Sequence, residues 1–251
     1  MAKNIVFANQ KGGVGKTTTA VNLGAYLAEA GKRVLLVDFD PQSNTSSSVG
    51  AKKELPGIYE VIMGKCEASA AIQECQVPNL SIIPSRIDLT GAMIELVDQE
   101  NREYFLKRSL VPLGERFDYI FIDCPPSLGL LTVNGLVAGD FVIIPLQCEY
   151  FALEGLSLLL QTVNRVQRGL NPGLKIGGIL FTMYDVRTRL AHEIVQEVTG
   201  YFKEKVFRTI IPRNVRLSEA PSFAKPISQY DPECIGAKSY QKLAEEVLLN
   251  V

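Results

Sequence analysis

Short runs of apolar residues recur along the 251-residue chain and alternate with segments whose apolar positions follow a helical spacing. The runs are typical of buried strands, and the helical spacing is typical of amphipathic helices. Strands are predicted at 5–8, 33–38, 80–84, 119–123, 141–146, 176–182 and 206–211. Helices are predicted at 16–30, 92–111, 153–169, 189–203 and 236–249, and residues 41–57 are predicted to form a loop. This alternation predicts an α/β fold in which helices cover both faces of a mainly parallel, twisted sheet.

Composition supports a globular protein, with 47% hydrophobic and 21% charged residues. No linker or low-complexity stretch interrupts the pattern, so we expect residues 1–251 to form one domain. We expect neither a membrane-spanning helix nor a signal peptide, because no apolar run is long enough for the first and the N-terminal residues lack the pattern of the second. The five cysteines form no CxxC pair, which favours a reducing, cytoplasmic location.

The net charge of −1 conceals a basic segment. Residues 165–216 carry ten Lys or Arg and four Asp or Glu, a net charge of +6, whereas the rest of the chain has a net charge of −7. Such a segment indicates either a face that binds a polyanion or a solvated helix surface, and charge alone does not choose between them.

The strongest chemical signal is a glycine-rich segment between the first predicted strand and the first predicted helix. Its residues are Lys11, Gly12, Gly13, Val14, Gly15, Lys16, Thr17 and Thr18. Glycines at this position let backbone N–H groups converge on a phosphate, and the helix N terminus adds a favourable dipole. Lys16 is predicted to contact the β- and γ-phosphates, and the Thr17 hydroxyl to ligate Mg²⁺. The Gly-Lys-Thr sequence disfavours the alternative, a glycine-rich turn without a ligand.

Carboxylates follow two other predicted strands. Asp38 and Asp40 come at the end of the second strand, and Asp123 ends the apolar run 119–123 in the Walker B arrangement. Ligands bind at the carboxyl ends of strands in such sheets. We therefore predict that Asp123 holds Mg²⁺ through water and that a carboxylate after the second strand orients the attacking water. A turn-opening role for Asp40 before Pro41 is the alternative.

The phosphate loop departs from the ordinary G-x-x-x-x-G-K-[ST] pattern. Gln10 stands where the first glycine should be, and a second lysine, Lys11, lies inside the loop. With this second lysine and without the first glycine, the segment resembles the deviant Walker A motif of the MinD/ParA class of P-loop ATPases. The resemblance implies a P-loop NTPase fold and a nucleotide-sandwich homodimer, in which Lys11 reaches the partner's nucleotide and Gly12 lies at the crowded interface. It also assigns water activation to Asp40 and a structural or outer Mg²⁺ role to Asp38.

Three further segments extend the resemblance over almost the whole chain. They are QCEYFALEG at 147–155, TMYD with the following Arg187-Thr188 at 182–188, and IPRNVRLSEAPS at 211–222. They are similar to the Soj-type chromosomal ParA partition ATPases. The resemblance places Pro212, Arg213 and Asn214 around the adenine. It gives Arg187 and Arg216 a part in DNA binding, and both lie inside the basic segment.

The resemblance also implies an activity and its partners. We expect an ATPase that needs ATP and Mg²⁺, converts ATP and water to ADP and phosphate, and is weak until a ParB (Spo0J) activator stimulates it. The ATP-bound homodimer is expected to bind double-stranded DNA without sequence specificity, in the cytoplasm and on the nucleoid, in chromosome or plasmid segregation.

Two other classes remain as alternatives. One is a MinD-like membrane positioning ATPase, which is disfavoured because residues 242–251 include acidic residues and no basic amphipathic tail, so we expect no membrane partner. The other is an ATP-dependent metabolic ligase of related fold, which would need a small-molecule pocket beside the γ-phosphate.

Overall fold

One mainly parallel sheet runs through residues 1–54 and 56–250, the part of the chain that the computed structural model describes. Its seven strands are β1 (Lys3–Phe7), β2 (Val34–Asp38), β3 (Gln73–Glu74), β4 (Leu80–Ile83), β5 (Tyr119–Asp123), β6 (Phe141–Gln147) and β7 (Lys175–Thr182). Their order across the sheet is β3-β4-β2-β5-β1-β6-β7. All neighbours are parallel except the short β3, which is antiparallel to β4. The predicted α/β fold with a mainly parallel sheet is confirmed.

Helices cover both faces of this sheet. In the described residues they are α1 (Lys16–Glu29), α2 (Asn44–Ser48), α3 (Ile58–Ile62), α4 (Leu89–Glu95), α5 (Phe105–Leu110), α6 (Leu130–Ala138), α7 (Ala152–Gly169), α8 (Arg189–Phe202), α9 (Val215–Glu219), α10 (Ile227–Tyr230) and α11 (Ile235–Asn250). Ile5 and Phe7 of β1 belong to the core that includes residues of α1 and α11, whereas Val6 belongs to the core on the opposite face, with residues of α6, α7 and α8. Between residues 1–54 and 56–250, no helix has both the length and the apolar character needed to cross a membrane.

The register of the central strands places the carboxylates predicted from the sequence. β2 and β5 are buried along their whole length, because as central parallel strands they are covered on both faces. Asp38 and Asp123 are register partners in these strands, and Phe7 of β1 lies on the other side of Asp123. The two aspartates and the loop after β1 therefore lie together at the carboxyl edge of the sheet.

The predicted strand at 206–211 is wrong. The segment runs beside β7 but forms only isolated parallel bridges, Ile179 with Val206 and Tyr184 with Pro212. The amides of Phe207 and Ile211 donate to the carbonyls of Ile179 and Phe181. An advance of four residues along the segment, from Phe207 to Ile211, thus lies beside an advance of only two residues in β7. The two extra residues bulge outward, so the segment cannot form a regular series of β-sheet hydrogen bonds.

Two further predictions of local structure need correction. The single helix predicted at 92–111 is wrong, because α4 ends at Glu95 and α5 begins only at Phe105, with Asn101 between them in a left-handed conformation (φ 54°). The predicted loop 41–57 contains α2. Helix α6 was not predicted, because its sequence LLTVNGLVA is apolar almost throughout and has no polar face to reveal a helical period.

Candidate active site

The phosphate loop joins β1 to α1 and depends on two glycines in left-handed conformations. Gly13 has φ 72° and Gly15 has φ 85°, which other residues adopt only with strain. Gly15 is the N-cap of α1, and no side chain within residues 1–54 and 56–250 caps this helix. The first-turn N–H groups of α1 therefore have no side-chain acceptor and are suited to bind an anion. Thr182 supports the loop from behind, because its hydroxyl donates to the Val14 carbonyl at 2.8 Å.

Lys16 brings a largely dehydrated positive charge to this loop. Its side chain is buried, and its ammonium group donates to the Lys11 carbonyl at 3.2 Å. Burial lowers the pKa of Lys16, and the nearby negative charges of Asp123 and Asp40 oppose that shift. A phosphate group would add the strong acceptors that this ammonium group lacks in the protein alone.

Asp123 forms the acidic centre of the site. One of its oxygens, Oδ2, accepts two hydrogen bonds, from the Thr17 hydroxyl at 2.7 Å and the Thr45 hydroxyl at 2.6 Å. The other oxygen, Oδ1, is buried and has no hydrogen-bond partner among the described residues. Burial raises the pKa of Asp123 although both hydroxyl groups lower it. An orphaned carboxylate oxygen close to a hydroxyl group is a donor set that fits Mg²⁺, so Thr17 and Asp123 are suited to hold this ion.

The two aspartates after β2 differ in their surroundings. Asp38 is fully buried and accepts hydrogen bonds from the Ser46 amide at 2.8 Å and the Ser46 hydroxyl at 2.6 Å, so it ties α2 to β2. Burial and the charge of Asp123 raise the pKa of Asp38. Asp40 lies on the wall of the adjoining cavity and accepts from the Gln42 amide at 3.0 Å. Asp40 therefore forms the predicted local turn and also faces the cavity.

A cavity of about 540 Å³ opens in front of the phosphate loop. The residues predicted from the sequence that line it are Gly12, Gly13, Gly15, Lys16, Thr17, Thr18, Asp40, Pro212, Arg213 and Asn214. The structure thus joins the segment 212–214 to the phosphate loop in one cavity, although about 200 residues separate them. Met183, with φ 49°, and Tyr240 also line the cavity and were not predicted.

Two lysines of the same loop have different environments. Unlike Lys16, Lys11 does not line the cavity; its side chain is 40% exposed and forms an ion pair with Glu149. Val14, which lies between these two lysines in the loop, is buried, and its carbonyl group accepts the hydrogen bond from Thr182. Glu149 was not assigned a role from the sequence, because nothing local to residues 147–155 indicates its contact with a loop 138 residues away.

Both arginines predicted to bind DNA lie on the surface and are already paired with carboxylates. Arg187 pairs with Asp185 at 2.6 Å. Arg216 pairs with Glu219 at 2.9 Å and with Asp231 at 3.3 Å. The bridge between Tyr184 and Pro212 brings the two segments together beside the cavity.

Comparisons with known proteins give consistent relatives. A family model described as an AAA domain matches residues 2–176. A chromosome-partitioning ATPase Soj from Treponema pallidum is 61% identical, over 99% of this chain and 98% of that protein. The sporulation initiation inhibitor protein Soj of Bacillus subtilis is 55% identical over the full length of both chains. A solved structure described as cobyrinic acid a,c-diamide synthase from Mycobacterium smegmatis, with bound ADP and magnesium, has a TM-score of 0.87 and 41% identity, and covers 99% of this chain and 94% of that one.

Proposed function

This chain belongs to the Soj/ParA family of chromosome-partitioning ATPases, and from that premise we propose that it is an ATP-driven switch that holds and releases DNA during partition. The family predicted from the sequence motifs is confirmed by these relatives. ATP and Mg²⁺ are its cofactors, in keeping with the ADP and magnesium bound to the solved relative. We propose that residues 1–251 act as one ATPase domain, in the cytoplasm and on the nucleoid.

The proposed chemistry assigns a role to each group at the carboxyl edge of the sheet. Lys16 and the N–H groups at the start of α1 hold the phosphates, while Pro212, Arg213 and Asn214 surround the adenine. Thr17 and Asp123 hold Mg²⁺, which when bound neutralises charge on the β- and γ-phosphates. Asp40 orients a water molecule for attack on the γ-phosphate, and the products are ADP and phosphate.

The observation that carries the proposal is the position of Lys11. It belongs to the phosphate loop, yet its side chain lies outside the cavity and is partly exposed, so it does not neutralise a nucleotide bound in its own subunit. A second subunit facing this loop would supply phosphates within its reach once the ion pair with Glu149 opens. Two subunits would then each place a positive charge beside the other's nucleotide, and ATP would stabilise the closed dimer over the monomer.

Dimer formation couples ATP to DNA in this proposal. Nonspecific affinity for DNA rises steeply with the number of phosphate contacts, because each contact releases counterions. A closed dimer doubles the available cations, including Arg187 and Arg216. Hydrolysis, slow alone and stimulated by a ParB-type activator, would return the monomer and release the DNA.

Co-sedimentation with double-stranded DNA in ATP, in ADP and without nucleotide tests the switch. The wild-type protein should sediment mainly with ATP. Lys11→Ala should still bind ATP but remain monomeric in light scattering and lose ATP-dependent sedimentation. Lys52→Ala, which removes an exposed lysine outside the site, should behave as wild type. An ATP dimer of Lys11→Ala would refute the role given to Lys11.

A second candidate, an ATP-dependent amide ligase, is favoured by the description of the solved relative as a cobyrinic acid a,c-diamide synthase. Such an enzyme would release phosphate when cobyrinic acid and an amine donor are added, without DNA or an activator. We expect no such stimulation. ATP-dependent binding to liposomes in the same series would identify a membrane-positioning ATPase instead.

A further inference from the structure

The basic segment 165–216 does not form one surface, because α8 divides it. Arg187 lies just before the N terminus of α8, and Lys203 follows its last residue. A helix of 14 residues is about 21 Å long. This length exceeds the Debye length of about 8 Å at physiological salt, so cations at the two ends of α8 act independently.

At the nucleotide end of α8, three of the four arginines of the basic segment are engaged with carboxylates, and the fourth, Arg213, lines the cavity. Arg187 pairs with Asp185. Arg189 pairs with Glu193, and Arg216 pairs with Glu219. A DNA phosphate that binds these side chains must first displace a carboxylate. Loss of that ion pair offsets part of the binding free energy that the phosphate contact contributes.

At the other end of α8, six exposed cations form what we call the far-end cluster: Arg165, Arg168, Lys175, Lys203, Lys205 and Arg208. They come from the end of α7, the start of β7 and the segment after α8. Helix α7 connects the parallel strands β6 and β7, and α8 connects β7 to Val206, which bridges β7 in parallel. Both helices therefore run against the strands, and their C termini lie at the same edge of the sheet. Over residues 1–54 and 56–250, no ion pair involves any of the six.

Three members of the cluster share one open groove, since Lys203, Lys205 and Arg208 line it together beside the start of β7. The carboxylate of Glu246 also lines this groove, but it accepts hydrogen bonds from the amides of Arg208 at 2.8 Å and Thr209 at 3.1 Å. Glu204 is the other acidic residue of the groove, so the cations outnumber the carboxylates there.

Helix dipoles do not account for this arrangement. A cation near a helix C terminus is stabilising, which suffices for Arg168 in the last turn of α7. Lys175 begins a strand, however, and Arg208 follows the bridge at Val206, so neither compensates a helix terminus.

We propose that the far-end cluster is a second DNA-phosphate surface, separate from Arg187 and Arg216. Its side chains bind phosphate without opening an ion pair, and it lies a helix length away from the nucleotide. It therefore supplies a weak basal affinity for DNA that does not require ATP. The ATP dimer raises this affinity by doubling the contacts, and hydrolysis lowers it again. That the polyanion is DNA rests on the proposed function.

The test compares two triple variants with the same loss of charge. The first is Lys203→Gln, Lys205→Gln and Arg208→Gln in the far-end cluster. The matched control is Lys52→Gln, Lys53→Gln and Arg108→Gln, which neutralises exposed cations elsewhere. Binding to a labelled DNA duplex is measured against salt concentration, without nucleotide and with ATP. Without nucleotide, the far-end triple variant should bind at least tenfold more weakly than the control, and its log–log salt slope should fall by roughly three, about one for each cation removed.

The outcomes separate this inference from the proposed function. Equal DNA affinity and equal salt slope in the two triple variants would overturn the inference. The far-end cluster would then be an ordinary solvated surface. A second outcome is that only the far-end variant loses DNA binding, while ATP strengthens DNA binding in none of the proteins tested. The cluster would then be a DNA surface, and the proposed ATP switch would be wrong. Nucleotide affinity and thermal midpoint verify folding, and Arg165→Gln with Arg168→Gln on α7 gives an independent variant that should also weaken binding.

Discussion

Single hydroxyl and carboxylate groups define the part of the site that we propose to hold Mg²⁺. One oxygen of Asp123 accepts hydrogen bonds from the hydroxyl groups of Thr17 and Thr45, and the other has no partner in the described part of the chain. If Thr17 turns its hydroxyl to a metal ion, Thr45 still holds the carboxylate in place. Thr45 is thus a positioning residue, contributed by α2 from within a segment that the sequence indicated only as a loop.

At the residue scale, Asp40→Ala is the sharpest test of catalysis. Asp40 faces the cavity, and its carboxylate accepts a hydrogen bond from the neighbouring Gln42 amide, so loss of this side chain should leave ATP affinity within about threefold. Turnover should fall by about 10²–10⁴, the usual contribution of a positioned acid or base, as measured by phosphate release. Gln42→Ala, on the same cavity wall, is the control. Unchanged turnover in Asp40→Ala would remove Asp40 from catalysis.

At the element scale, the adjacency of β2 and β5 forces two carboxyl groups together in the interior. Asp38 and Asp123 are register partners at the ends of these strands, and both are buried. The Lys16 ammonium group offsets part of the cost of burying two carboxyl groups, and Mg²⁺ in the proposed site would offset more of it. The buried pair of carboxyl groups therefore lowers the free energy of unfolding of the nucleotide-free protein.

This adjacency predicts an unusual dependence of stability on pH in the nucleotide-free protein. Burial raises the pKa of Asp38 to about 7 and that of Asp123 to about 6, both from 3.8. The folded state then holds more protons than the unfolded state between about pH 4 and pH 7, so the free energy of unfolding should decrease as pH rises through that range. In urea denaturation, the free energy of unfolding of Asp38→Asn should decrease less between pH 5 and pH 8 than that of the wild type.

Asp118→Asn is the control for this pH effect. Hydrogen bonds from Arg33 lower the pKa of Asp118 to about 2. Its contribution to stability is therefore lost only as pH falls below about 4, outside the measured range. A pH profile of Asp38→Asn that coincides with wild type would contradict the assignment to Asp38.

At the scale of the whole molecule, one edge of the sheet carries the proposed nucleotide site and the opposite edge carries the far-end cluster of positive charge. Lys11, the cavity and the paired arginines lie at the first edge, and the far-end cluster lies at the second. We expect subunits to meet at the first edge, because Lys11 and Gly12 are there, while the second remains open to DNA.

Gly12→Val tests the meeting of two subunits. A Cβ atom added at Gly12 would meet only Pro126, at an ordinary contact distance of 3.8 Å, so one chain alone does not require glycine there. The variant should bind ATP within a few-fold of wild type and remain monomeric in light scattering, because the side chain would obstruct a facing subunit. Gly200→Val, at an open position of α8, should dimerise normally. A normal ATP dimer of Gly12→Val would contradict the crowding at this interface.

The sequence by itself determined the features whose causes are local. The phosphate loop is contiguous, so its glycines and lysines indicate its shape and chemistry directly. Apolar runs predicted the central strands, and because parallel strands share a carboxyl edge, Asp123 and Asp40 could be expected beside the loop. Local pattern failed at 206–211, where an apolar run meets β7 with two surplus residues, and at α6, where no polar face marks the helix.

Only the tertiary structure decided which distant side chains meet. Thr45 and Asp123 are 78 residues apart, and Lys11 and Glu149 are 138 residues apart. The basic segment is continuous in sequence, yet α8 separates the ion-paired Arg187, Arg189 and Arg216 from the far-end cluster. Periodicity encodes which residues are buried, whereas side-chain partners depend on strand order and helix direction, which arise only when the elements pack.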